Sequence, residues 1–314
     1  MITKSLGSNG PQVPALGIGT WAWGDRIFWG YGALYGQAEV AAAFHAAVEA
    51  GIILFDTAEI YGWGESERLL GQFQQDSHSP VCLATKYGPV PWRLTAKAVL
   101  QAIQDSLNRL QTEAIELYQV HWPFSFLMSD ETLFGALATA VQQGVIKAVG
   151  VSNYDVGQMR KAHQILATYN VPLAVNQVRY SLITRQVETQ GLIAAARELD
   201  ITILAYSPLA QGLLTGKYTP EHPPTGARTM DGRFKPEGLR QLAPVTNLLQ
   251  QLAEVHGRTM SQVALNWLIA QDGVIPIPGA KTAKQATENA GALGWSLTMD
   301  EVAALEKASR PWLQ

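Results

Sequence analysis

Residues 51–62 have the sequence GIILFDTAEIYG. A short apolar run, typical of a buried strand, ends here in the carboxylate of Asp56, and the phenol of Tyr61 follows on the next loop. Two later apolar runs end in the same manner, with Lys86 closing one and His121 closing the other. Polar side chains at the ends of three successive strands are therefore candidates for one common site.

Apolar, β-branched runs recur along the whole chain and predict eight strands. They cover residues 16–19, 52–56, 81–86, 115–121, 148–152, 174–177, 201–206 and 274–277. Helical periodicity separates them, as where Val99, Ile103, Leu107 and Leu110 share one face. Regular alternation of strand and helix favours parallel strands joined by helical crossovers, and eight such units most simply close into a barrel.

The chain has 314 residues, close to the usual size of such a barrel. We therefore expect an α/β fold, a single (β/α)8 TIM barrel domain over residues 1–314. Residues 1–14, with a turn at Asn9-Gly10, predict a hairpin across the amino-terminal mouth of the barrel.

Two extra helical segments, 244–256 and 259–270, lie between the seventh and eighth strands, and residues 300–310 predict a last helix. A Pro/Gly/Thr-rich stretch, 212–240, precedes the first of them without periodicity. A loop of that length is usually functional, and the alternative is a tolerated surface insertion.

Composition excludes several classes of protein. The hydrophobic fraction of 47% suits a globular core, and a net charge of -3 leaves no basic surplus for a nucleic acid partner. The only cysteine, Cys82, cannot form an intrachain disulfide, and no His/Cys spacing predicts a metal site. With no apolar signal segment and no run long enough for a bilayer, we expect no membrane contact and a cytoplasmic location.

The four strand-end residues match the needs of carbonyl reduction, in which a hydride donor is combined with a proton for the developing alkoxide. Tyr61 is a weak acid, and a nearby Lys86 would lower its pKa. Asp56 would orient Lys86, and His121 would hydrogen-bond the carbonyl oxygen. Taken singly, Asp56 also suits a helix cap and Lys86 a surface charge, so the prediction depends on the set.

Strands five to seven end in amide, hydroxyl and aromatic groups. Ser152, Asn153 and Gln177 can pair with a carboxamide, and Tyr206 offers a flat face for stacking, although it also suits an ordinary rim aromatic. Residues 17–22, GIGTWA, fit the G-x-G-x-x-G/A pattern, but no helix start follows them. We therefore do not expect a Rossmann domain.

A turn containing Gly279 follows the eighth strand and leads into a predicted helix with Gln285, Glu288 and Asn289. The free N–H groups at such a helix start can bind a phosphate, and Lys281 adds positive charge. This segment is therefore a candidate phosphate site.

The chain resembles the aldo-keto reductase superfamily from end to end. The resemblance is carried by DTA at 56–58, YG at 61–62, Lys86, HWP at 121–123, GVSN at 150–153, NQ at 176–177 and AYSPL at 205–209. It implies a (β/α)8 barrel that reduces aldehydes or ketones with NADPH, with Asp56, Tyr61, Lys86 and His121 as the catalytic residues and Tyr61 as general acid.

The resemblance implies that Ser152, Asn153 and Gln177 hold the nicotinamide amide and that residues 279–289 hold the adenosine 2'-phosphate. It also implies further contacts to NADP. They are Gly19, Thr20, Trp21, Asp56, Ser207, Pro208, Leu209 and Gln211. Lys217 and Arg228 on the long loop would hold a phosphate, although Arg233 suits that role as well as Arg228. Gln285 stands where many members have Arg, which weakens the expected preference for NADPH over NADH.

Tryptophans are concentrated on loops at the predicted active-site face, and Trp29, Trp92 and Trp122 are the candidates for substrate contact. Residues 28–32, 206–218 and 277–282 are similar to a bacterial and plant branch that includes pyridoxal reductases. The alternative function is a slow-turnover NADP(H)-binding sensor, similar to the barrel subunits of potassium channels. The complete set of four residues favours the enzyme.

Overall fold

The computed structural model describes residues 2–123, 128–219, 221–224 and 230–313. Ten strands are present: β1 (Thr3–Ser5), β2 (Gln12–Pro14), β3 (Ile18–Gly19), β4 (Leu54–Asp56), β5 (Cys82–Tyr87), β6 (Leu117–Val120), β7 (Val149–Ser152), β8 (Leu173–Arg179), β9 (Thr202–Tyr206) and β10 (Val274–Ile277). Strands β3 to β10 pair in parallel in chain order. The amides of Gly17 and Gly19 donate to Pro276 and Pro278 at 3.0 Å, which joins the first barrel strand to the last. The predicted (β/α)8 barrel is confirmed.

Helices surround the barrel and also extend it. They are α1 (Gln37–Glu49), α2 (Glu65–Ser77), α3 (Ala96–Leu110), α4 (Asp130–Gln142), α5 (Val156–Ala167), α6 (Gln186–Thr189), α7 (Leu192–Glu198), α8 (Pro236–His256), α9 (Met260–Ala270), α10 (Ala283–Ala290) and α11 (Met299–Ala308). The predicted face of α3 is buried, and the Thr95 hydroxyl caps its amino end by accepting from the amide of Ala98. Local sequence signals therefore placed this helix correctly.

The hairpin of β1 and β2 closes the amino-terminal mouth of the barrel, as predicted. Leu6 and Val13 are fully buried, in one cluster with Leu54, Leu117 and Leu204 near the starts of barrel strands. Because apolar side chains seal this end, polar chemistry is confined to the opposite end, where the strands finish.

The prediction for α8 was wrong at its start. The helix begins at Pro236, eight residues before the predicted start, and Pro244 lies in its interior. An interior proline costs a helix about 3 kcal/mol, because one backbone hydrogen bond is lost. Here Leu239, Leu242 and Val245 continue one buried stripe across the proline, and their burial offsets that cost.

Lys4 ties the hairpin to the barrel. Its ammonium donates to the carbonyl oxygens of Ile269, Gln271 and Val274 at 2.7, 2.9 and 2.7 Å, where α9 ends and β10 begins. Burial lowers the pKa of Lys4 to about 8, so the group is still charged at pH 7. A cation at a helix carboxyl end also interacts favourably with the helix dipole.

Replacing Lys4 by methionine should lower the free energy of unfolding by about 1.5–3 kcal/mol, because hydrogen bonds to a charged group are lost. Urea denaturation measures this. Lys97→Met is the matched control, since Lys97 is exposed on α3. Equal unfolding midpoints for both variants would contradict the bridging role of Lys4.

Candidate active site

The four predicted residues meet at the carboxyl end of the barrel. Asp56 is the last residue of β4, Lys86 is the penultimate residue of β5, and His121 follows β6 directly. Tyr61 begins a short 3-10 turn, Tyr61–Gly64, on the loop after β4. Parallel strands end at the same edge of a barrel, which is why residues so far apart in sequence become neighbours.

Lys86 is the centre of this group and is completely buried. Its ammonium donates to Asp56 Oδ1 at 2.5 Å, to the carbonyl oxygen of Thr57 at 2.7 Å and to the Tyr61 hydroxyl at 3.4 Å. Burial lowers the pKa of Lys86, but Asp56 and Tyr61 raise it by more, so the net shift is upward. The lysine therefore stays charged, with all three N–H groups directed at oxygens.

Two glutamines hold Asp56 from the other side. Gln119 and Gln177 donate to Asp56 Oδ2 at 2.9 and 2.8 Å, and Gln177 also donates to Gln119 Oε1 at 3.0 Å. Gln119 was not among the site residues predicted from the sequence. It could have been found as a polar residue inside the apolar strand β6, two positions before His121 and therefore on the same face of the strand.

Tyr61 is protonated at neutral pH. Burial raises the pKa of Tyr61 above its usual value, and the positive charge of Lys86 opposes this without reversing it. The predicted influence of Lys86 on the pKa of Tyr61 thus has the expected sign, but burial outweighs it and the net shift is upward. Desolvation of the phenolate outweighs the attraction to one ammonium.

His121 is neutral. Burial, followed by the charge of Lys86, lowers the pKa of His121 to about 2. Its ring lies edge-on to Tyr61, with centroids 5.6 Å apart, and its buried Nδ1 has no hydrogen-bond partner within the described part of the chain. A neutral imidazole beside a phenol presents two hydrogen-bonding groups to one ligand atom.

The ring nitrogens of His121 should therefore keep the chemical shifts of a neutral imidazole down to pH 4, because protonation would bury a second charge beside Lys86. Nitrogen-15 NMR of the labelled protein measures this, with a histidine peptide that titrates near 6.5 as reference. Since the unfolded chain binds this proton below about pH 6.5, His121 also makes the fold less stable as the pH falls. A His121 titration near 6.5 would contradict the assignment.

A network of ion pairs holds the loop that leads to Tyr61. The sequence alone did not predict this network. The Glu59 carboxylate accepts from the Gly88 amide at 2.6 Å and from Arg93 Nη2 at 2.9 Å. Arg109 pairs with the buried Glu67 at 2.6 Å on α2, the helix that follows Tyr61. Both ends of the loop are thus anchored to neighbouring elements, which limits the movement of the phenol.

The predicted nicotinamide residues form one hydrogen-bonded chain. Ser152 donates to the carbonyl oxygen of Gln177 at 2.9 Å, and Asn153 donates to the Ser152 hydroxyl at 3.0 Å and to the carbonyl oxygen of His121 at 3.2 Å. The Tyr206 hydroxyl donates to Asn153 Oδ1 at 3.0 Å. The structure therefore joins these four residues to one another, and Asn153 links them to the backbone of His121.

The loop after β9 and the turn after β10 carry the other predicted cofactor residues. Ser207 and Gln211, which flank Pro208 and Leu209, have left-handed backbone angles, with φ of 51° and 56°. Lys217 lies over the ring of Tyr218 at 4.7 Å. Arg228 lies outside the described residues.

At the start of α10, Gln285 Oε1 accepts from the amide of Lys281 at 2.7 Å, and Asn289 donates to the carbonyl oxygen of Gly279 at 3.2 Å. The Lys281 ammonium lies 4.7 Å from the ring centroid of Tyr35. Glu288 instead faces α9 and accepts from the Thr259 hydroxyl. The turn is therefore pre-formed by its own side chains.

Residues 19–21 form the loop that leaves β3. Gly19 pairs with Gly279 across the barrel seam, and the buried Thr20 hydroxyl contacts Ser66 at 2.8 Å. The ring of Trp21 lies 6.3 Å from that of Tyr61. The Thr20 hydroxyl also donates to the carbonyl oxygen of Asp56 at 3.1 Å, so both Thr20 and Trp21 direct their side chains towards the four-residue group.

Of the predicted substrate tryptophans, two lie near the buried group. The Trp122 ring is 4.6 Å from that of His121, and the Trp29 ring is 5.4 Å from that of Trp21. Trp92 is 77% exposed. The structure thus places Trp29 and Trp122, but not Trp92, in an aromatic wall beside the catalytic group.

The chain belongs to the aldo/keto reductase family, whose sequence model matches residues 15–310. It is 40% identical over 311 residues to the chloroplastic pyridoxal reductase of Arabidopsis thaliana, covering 95% of this chain and 84% of that protein. It is 33% identical over 301 residues to the methylglyoxal reductase YeaE of Escherichia coli, covering 96% and 93%. The family supports carbonyl reduction in general.

Solved structures agree with the fold. The glycerol dehydrogenase of Gluconobacter oxydans superposes with a TM-score of 0.86 at 28% identity, covering 98% of this chain and 94% of that one. An aldo/keto reductase from Klebsiella pneumoniae in complex with NADP and acetate superposes with a TM-score of 0.78 at 29% identity, covering 98% and 95%.

None of the helices in the described ranges has the length and the apolar character that crossing a membrane requires.

Proposed function

We propose that the protein reduces aldehyde or ketone carbonyls to alcohols with NADPH, and that Tyr61 donates the proton. The observation that carries the proposal is the buried ammonium of Lys86, which Asp56 and Tyr61 share. A pyridoxal reductase and a methylglyoxal reductase among the relatives support small aldehydes as the substrate class.

NADPH, when bound, supplies the hydride. The carbonyl oxygen would accept hydrogen bonds from the Tyr61 hydroxyl and from neutral His121, which orients it and polarises the carbon. As negative charge develops on that oxygen, Tyr61 releases its proton to it. Lys86, 3.4 Å from the hydroxyl, stabilises the phenolate that remains, and Asp56 holds Lys86 in place.

The residues present fit a nicotinamide dinucleotide. Tyr206, Asn153 and Ser152 offer an aromatic face with amide and hydroxyl groups directly beside His121. At the other end, the amino end of α10 carries Lys281 and suits a phosphate. The Klebsiella pneumoniae structures in complex with NADP and NADPH support the same assignment.

Tyr61→Phe should lower kcat/KM for pyridoxal and for benzaldehyde by at least about 100-fold, since general acid catalysis contributes 10²–10⁴-fold. NADPH oxidation measures the rate, and Tyr169→Phe, on the far surface, is the matched control. Equal rates for Tyr61→Phe and wild type would refute the proton donor. The same assay tests the sensor alternative, for which wild type would complete one turnover and then stall.

Lys281→Met should raise KM for NADPH about tenfold and leave KM for NADH unchanged, because one charge-assisted contact to the extra phosphate is lost. Steady-state kinetics with both cofactors measure this. Lys284→Met removes the same charge from an exposed position on the same helix. A wild-type preference for NADH, or equal effects on both cofactors, would contradict the role of Lys281.

A further inference from the structure

A cavity lies beside the group formed by Asp56, Tyr61, Lys86 and His121, at the carboxyl ends of β7 and β8. It is open to solvent and has a volume of about 1060 Å³, which is large enough for a small organic molecule. Its walls include Asn153, Val178, Arg179, Arg233 and Trp312. Asp56, Tyr61, Lys86 and His121 are not among its lining residues.

Arg179, the last residue of β8, is the unusual member of this wall. It is half-buried, yet its guanidinium forms no hydrogen bond or ion pair with any residue that the structure describes. Each of the other half-buried arginines that the structure describes forms an ion pair: Arg93 with Glu59, Arg109 with Glu67, Arg160 with Glu198 and Arg233 with Asp231. Burying a cation without a partner is costly, so such a group is expected to serve a ligand.

A second guanidinium reinforces the positive charge. Arg233 is held by Asp231, with Nη2 2.6 Å from Oδ2, and its Nη1 lies 3.5 Å from the Thr184 hydroxyl on the cavity wall. Burial, followed by the charge of Arg233, lowers the pKa of Arg179, while Tyr206 and the Asp231 carboxylate oppose that shift. The pair is set up to share an anion.

The other walls of the cavity are partly apolar and partly polar. Val178, Ile183 and Trp312 provide apolar surface, and the amino end of α5 faces the same space. One acidic residue also lines the cavity, Asp155, but its carboxylate accepts from the amide of Gln158 at 2.8 Å and caps α5. Its charge is therefore partly offset by the helix dipole.

The cavity shares a wall with the catalytic group through Asn153, which donates to the carbonyl oxygen of His121 and accepts from Tyr206. Arg179 is also the register partner of Tyr206 on the neighbouring strand. A ligand on Arg179 would therefore contact the residues that border the nicotinamide face.

We propose that this cavity binds an organic anion, with a phosphate or carboxylate group on Arg179 and Arg233 and an apolar body against Val178 and Trp312. The anion is either the charged extension of a carbonyl substrate or a separate small molecule. Both have the same binding chemistry, and they differ in whether they compete with the aldehyde.

Phenyl phosphate is a suitable probe, and phenol is its uncharged counterpart. Calorimetric titration is carried out on the full chain with NADP+ in saturating excess, so that the cofactor's phosphate sites are filled. We expect phenyl phosphate to bind wild type and Arg240→Met alike, and to bind Arg179→Met at least about tenfold more weakly. Arg240 is the matched control because it is exposed on α8.

Three results of the titration would overturn the proposal: equal affinity for wild type and Arg179→Met, phenol binding as well as phenyl phosphate, or complete loss of phenyl phosphate binding when NADP+ is added. Because the measurement is of binding, it is independent of whether the protein reduces carbonyls. Competitive inhibition of benzaldehyde reduction by phenyl phosphate would identify a substrate extension, and inhibition or activation with an unchanged KM would identify a separate ligand.

Thermal unfolding separates a binding role from a structural one. Arg179→Met removes an unpaired, half-buried cation, so its melting temperature should equal or exceed that of wild type. A clear decrease, together with normal phenyl phosphate binding, would show that Arg179 serves packing and would overturn the proposal.

Discussion

A fully buried ammonium must have partners, and this constraint shapes the centre of the protein. Lys86 is surrounded by oxygens from Asp56, Thr57 and Tyr61. Removing one partner of such a pair costs about 3–5 kcal/mol, because a charge is then left buried without compensation. The same arrangement that compensates the buried lysine also directs its charge at the Tyr61 hydroxyl.

The constraint extends across the barrel. Both carboxylate oxygens of Asp56 accept hydrogen bonds. Lys86 donates to Oδ1, and Gln119 and Gln177 donate to Oδ2. These residues belong to β4, β5, β6 and β8, so the network spans half of the barrel wall. Only a sheet that curves round on itself brings β4 and β8 into contact, which makes barrel closure a precondition for the chemistry.

Two cations with different surroundings, Lys86 and Arg179, lie at this end of the barrel. At Lys86 the cation is compensated by the Asp56 carboxylate and by oxygens of Thr57 and Tyr61. At Arg179 the cation has no hydrogen bond or ion pair with a described residue, the Asp231 carboxylate offsets only part of the cost of its burial, and it borders an open cavity. Asn153 and Tyr206 separate the two, and their mutual hydrogen bond couples the walls.

The sequence by itself determined the eight strands, the helices between them and the residue types at the strand ends, because periodicity and capping are local properties. It did not predict the early start of α8, since tertiary burial overrides the local signal of Pro244. It missed Gln119, Glu59 and the unpaired state of Arg179, because a partner is a property of neighbouring strands and loops. Only the tertiary structure decided the protonation states: burial keeps the proton on Tyr61 and keeps His121 neutral, and burial does not exist until the barrel has closed.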